Sequence, residues 1–95
     1  MRGKKQTDTT ISITTLLSEQ AIKEIKAISV ASLFNLTPQN QRVAINTLFF
    51  MEQGQTRFER ANIITVLSAV RIAEIEDLET LREIRKALKE LKAQQ

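Results

Sequence analysis

Four consecutive polar side chains, Gln39, Asn40, Gln41 and Arg42, follow the pair Thr37-Pro38. Such groups hydrogen-bond flat donor–acceptor edges: Asn or Gln can pair bidentately with adenine, and Arg with guanine. Cations suited to phosphate flank them in sequence. Lys23 and Lys26 come before, Arg57 and Arg60 after, and Lys4 and Lys5 stand with Arg2 at the N-terminus. Catalysis is harder to assemble. The chain has no histidine and no cysteine, which removes the usual general base, the thiol nucleophile and the commonest transition-metal ligands. The acids Glu74, Glu76, Asp77 and Glu79 form one cluster, but neighbours in a helix do not face one another. A non-enzymatic protein without metal or cofactor is therefore expected.

The elements that position these residues follow from composition and punctuation. At 95 residues the chain makes one domain, and a domain this size buries about 60–65% of its unfolded surface. Hydrophobic residues at 42% and charged residues at 26% are a globular balance, with a net charge of +3. No apolar run reaches the ~20 residues of a membrane span. The polar, basic start does not resemble a signal peptide, so a cytoplasmic protein with no membrane partner is expected. Two glycines and one proline are too few for a protein built on turns. The expected class is all-α.

Ser18 reads as an N-cap, with Leu17 and Ile22 at hydrophobic-staple spacing. Thr37-Pro38 starts the next helix, since the missing N–H of proline is unpaired at N1 in any case. From Val43 to Met51 apolar residues surround the helix, which predicts burial on nearly all sides and a core centred there. Gly54 supplies a stop, and Thr56 with Glu59 has the spacing of a capping box for a final helical region. That region is either one helix of roughly 35 residues, about 50 Å long, or two helices broken near Asp77. Leu81, Ile84, Leu88 and Leu91 form a coiled-coil-like stripe along its end. The stripe must pack back on its own core or meet a partner, most simply a second copy. Residues 1–17 read as a flexible basic arm with a short strand in the β-branched Thr9–Leu17 stretch, residues 18–95 as the helical domain, and 77–95 as a dimerisation or docking helix.

The segment Val30 to Arg42 resembles the helix-turn-helix of DNA-binding regulators. Ala31 matches the small residue of the first helix, Asn35 the turn, Leu36 the apolar residue after it, and Thr37-Pro38 the cap. The match extends over residues 30–48, and Gln41 stands where the pattern has a buried aliphatic residue, with Val43 two positions later. The resemblance implies a homodimer on two DNA half-sites, with Gln39, Asn40, Gln41 and Arg42 reading bases and Thr37 meeting phosphate. A ribbon-helix-helix dimer, with Thr10, Ser12 and Thr14 in the groove and the strand paired across the dimer, is an alternative.

Two functions are thus expected from the sequence. The first is a small DNA-binding regulator, with DNA favoured over RNA. The second is a helical interaction subunit of a protein or nucleoprotein assembly, docking through Leu81–Leu91.

Overall fold

The computed structural model describes residues 10–27, 36–70 and 75–93. In chain order these form strand β1 (Thr10–Ser12), helix α1 (Glu19–Lys26), helix α2 (Pro38–Glu52), strand β2 (Arg57–Glu59), helix α3 (Arg60–Val70) and helix α4 (Leu78–Ala93). A single 3-10 turn, Ile13–Thr15, joins β1 to the approach to α1. The fold is mostly helical, with one small sheet.

Local chemistry sets the helix ends. The Ser18 hydroxyl accepts from the Ala21 N–H at 3.2 Å, and the Thr37 hydroxyl accepts from the Asn40 N–H at 3.2 Å. Each satisfies a donor that the first helical turn leaves without a carbonyl. Pro38 occupies the first turn of α2. That helix closes with the Gly54 N–H on the Met51 carbonyl and the Gln55 N–H on the Phe50 carbonyl, both at 3.0 Å. This Schellman pair requires a left-handed residue after the cap, and Gly54 has φ +99°. Asp77 starts α4 by accepting from the Thr80 N–H at 3.2 Å. The final helical region is therefore two helices, α3 and α4, which pack against each other.

The strand has its partner within the chain. β1 pairs antiparallel with β2, Ile11 opposite Phe58, and the Ile13 N–H extends the ladder to the Thr56 carbonyl at 2.8 Å. The expected helical class stands with one small sheet added, and the short strand expected in this stretch forms at Thr10–Ser12. Two expectations are corrected: residues 10–17 are not a free arm, and Thr56–Glu59 does not open a helix, which begins at Arg60. Pairing satisfies backbone groups at both segments and drives Ile13, Leu17 and Phe58 into the core, where each is 5% exposed or less. That burial outweighs a local cap of about 1 kcal/mol. It also meets the need that the ribbon-helix-helix alternative assigned to a second chain. Residues 1–9, with Lys4 and Lys5, lie outside the described residues.

The core is centred on α3 rather than α2. Ile63, Val66, Leu67, Ala69 and Val70 are all buried, and α3 packs on α2, α4 and β2. On α2 only Ala44, Thr47 and Met51 are buried, whereas Phe49 is 53% and Phe50 47% exposed. An apolar circumference shows what a helix can bury, but its neighbours decide which side they cover. The C-terminal stripe is spent inside the molecule. Ile84, Leu88 and Leu91 are buried with Ala87, and Leu81 packs half-buried against the same cluster. They are core residues here, so the docking seam expected along 81–91 is closed by the chain's own helices.

Two polar links tie α1 to α4. Glu83 accepts from the backbone N–H of Ser18 and, at 3.1 Å, from its hydroxyl. The buried Thr80 hydroxyl lies 2.7 Å from Asp77 Oδ2 and 3.2 Å from Glu24 Oε2, and the Gln20 amide donates to that same Glu24 oxygen at 3.0 Å.

Candidate nucleic-acid interface

The outward stripe of α2 carries the side chains that can recognise a ligand. At about 100° per residue, Gln39, Arg42, Asn46 and Phe49 lie on one face of the helix. All four are exposed, and they extend about 15 Å along the axis. Gln39, Arg42 and Asn46 make no side-chain hydrogen bond or ion pair among the described residues. Asn40 is exposed but lies roughly 160° round from Arg42, and Gln41 is half-buried. The structure thus keeps Gln39 and Arg42 of the four expected readers on one face and adds Asn46, which the short motif did not reach. A helical stripe continued past position 42 at i, i+4 would have found it. Thr37 remains exposed but spends its hydroxyl on the Asn40 N–H.

The cations do not gather around this stripe. Lys26 sits beside Met51 and Gly54, at the C-terminal end of α2, because α1 runs with its last turn against that end. Lys23 is exposed on α1 one turn earlier. Arg57 and Arg60 are not neighbours on one helical turn, as their spacing suggested. Arg57 lies in β2, where its guanidinium donates to the Thr10 hydroxyl at 2.8 Å and to the Thr10 carbonyl at 3.4 Å. Arg60 is the first residue of α3 and is half-buried. The first helix and turn of the helix-turn-helix match, Val30 to Asn35, fall outside the described residues.

A cleft of about 370 Å³ opens beside the stripe. Val43, Asn46, Thr47 and Phe50 of α2 line it on one side; Arg57, Phe58 and Glu59 of β2 and Asn62 of α3 line it as well, together with Thr10 and Gln55. Thr47 is satisfied internally, donating to the Val43 carbonyl at 2.7 Å, and the Gln55 amide donates to the Arg57 carbonyl at 2.7 Å. Asn46 and Asn62 have no side-chain hydrogen-bond partner among the described residues. The Phe49 and Phe50 rings meet nearly perpendicular, 5.4 Å apart at 75°, the edge-to-face arrangement that aromatic quadrupoles favour.

Among the described residues no group of three or more acidic side chains is placed to hold a metal ion, and no helix is long and apolar enough to cross a membrane. The chain has no significant match to a protein-family model, to a curated protein or to a solved structure.

Proposed function

We propose that this chain is a nucleic-acid-binding protein of the regulatory type, with duplex DNA as its first ligand, and that it acts by binding rather than by catalysis. The observation that carries the reading is the outward stripe of α2. Gln39, Arg42 and Asn46 stand on one face without intramolecular polar partners among the described residues. A helix presenting amide and guanidinium groups in a row is the geometry that enters a major groove, where those groups match adenine and guanine edges. The net charge of +3 supplies a modest general attraction to phosphate. Arg42 belongs at base edges, and the Arg2–Lys5 tract at the backbone, whereas Lys26, beside Met51, lies on the other side of α2.

The test is binding to mixed-sequence and selected duplexes across a salt series, with mass followed by light scattering and protein measured by refractive index, since Trp and Tyr are absent. Replacing Gln39, Arg42 and Asn46 together with Ala should weaken specific binding about a hundredfold or more, the loss of three base contacts at about 1 kcal/mol or more each, and leave the unfolding midpoint unchanged. Unchanged affinity in that variant overturns the assignment.

The second reading, a helical interaction subunit, now rests on the exposed Phe49 and Phe50 pair instead of the C-terminal stripe. It predicts that the same triple variant is silent.

A further inference from the structure

The cleft between α2 and the β2–α3 corner combines features of which the groove-binding reading uses only Asn46. Its α2 side includes the Phe50 ring, 47% exposed and held by the perpendicular ring of Phe49. The buried Phe58 lines it too. Asn46 of α2 and Asn62 of α3 both line the space, and neither amide has a side-chain partner among the described residues. The volume of about 370 Å³ falls in the usual range for small-ligand sites, about 300–1,000 Å³.

We propose that this cleft binds a nucleobase, stacked on Phe50 and held at its edge by Asn46 and Asn62. A purely apolar ligand would cover both amides without satisfying them, which is costly. A bare anion would meet the Glu59 carboxylate at the rim and find the Arg57 guanidinium turned to Thr10. A flat heterocycle with donors and acceptors on its edge satisfies both features at once, because every base has a π-face and a hydrogen-bonding rim. Asn46 belongs to the α2 stripe and to the cleft alike, so a single strand lying along the stripe, unlike a closed duplex, brings an unpaired base within reach of the site. The proposal rests on the nucleic-acid reading for that source of the base; a free nucleotide offers the same chemistry.

The experiment uses 2-aminopurine as the probe, in three forms: within a single-stranded oligonucleotide, within a duplex, and as the free nucleotide. With neither Trp nor Tyr in the chain, the fluorescence belongs to the probe alone. The expected result is a saturable change with the single strand, weakened about tenfold or more in Phe50→Ala and in Asn46→Leu. Both side chains are exposed, so far-UV circular dichroism should show an unchanged fold, and either variant suffices if the other fails to fold. A response confined to the free nucleotide, with the same sensitivity, keeps the cleft and counts against the nucleic-acid reading. A response that neither variant alters, or no response to any form, overturns the cleft. Duplex binding that still depends on Arg42 would then leave the groove reading standing alone.

Discussion

Glu83 of α4 caps the helix that starts at Ser18. Its carboxylate receives both the backbone N–H and the hydroxyl of that residue, across 65 positions of sequence. In a capping box this task falls to Glu or Gln three residues after the cap, but that position of α1 is the buried Ala21. The structure therefore recruits the acid from another helix, where its charge also faces the positive end of the α1 dipole.

Removing this carboxylate should loosen α1 from α4. Glu83→Ala is expected to cost about 1–3 kcal/mol, the range for a hydrogen bond to a charged group or a donor left unmatched. In a chain of 95 residues each kcal/mol lowers the thermal midpoint by roughly 4–8 °C. Urea unfolding followed by circular dichroism measures the loss; an unchanged midpoint would show that water replaces Glu83 at no cost.

The C-terminal stripe gives a prediction opposite to that of a docking helix. Ile84 is fully buried, so Ile84→Ala should destabilise the fold by about 2–5 kcal/mol, and Ile84→Asp should unfold it. A variant that keeps wild-type stability but changes its light-scattering mass would instead make the stripe an interface between chains.

Gly54 carries the stop of α2 at φ +99°, with open space where a Cβ would stand. Gly54→Ala should therefore cost about 1–2 kcal/mol through backbone strain alone. Gly54→Asn should cost less, because Asn tolerates the left-handed region better. Equal losses in the two variants would point to a clash rather than to φ.

Phe49 and Phe58 separate surface from core. Phe58→Ala should cost about 3–5 kcal/mol, whereas Phe49→Lys should change stability by about 0.5 kcal/mol or less, since 53% of Phe49 already meets water. A large loss at Phe49 would place its ring in a structural contact.

The parts of this fold legible in the sequence are those decided within a few residues. Ser18, Thr37-Pro38, Gly54 and the acid at Asp77 act through hydrogen bonds to their own helix, so residue type and spacing reveal them. The β1–β2 pair is different. Arg57, Phe58 and Glu59 look like the first turn of a helix until Thr10–Ser12 arrives from 47 residues away to pair with them. The exposure of Phe49 and Phe50 has a related reason: apolar periodicity reports what could be buried, and only the packing of neighbouring helices on α2 selects Ala44, Thr47 and Met51. For the candidate site, residue chemistry singles out Gln39 and Arg42, and the helix places them on one exposed face. The pairing of Asn46 with Asn62 across a cleft was not legible, because it joins two helices whose angle no local pattern encodes.

The bond between Glu83 and Ser18 also has a meaning in time. On a ribosome adding about 5–20 residues per second, the 65-residue separation means that Ser18 is synthesised roughly 3 to 13 seconds before Glu83. During that interval the apolar side of α1, with Ala21 and Ile25, has no α4 to lie against. The nascent chain is then open to chaperones and proteases, and it closes only when the later helix arrives.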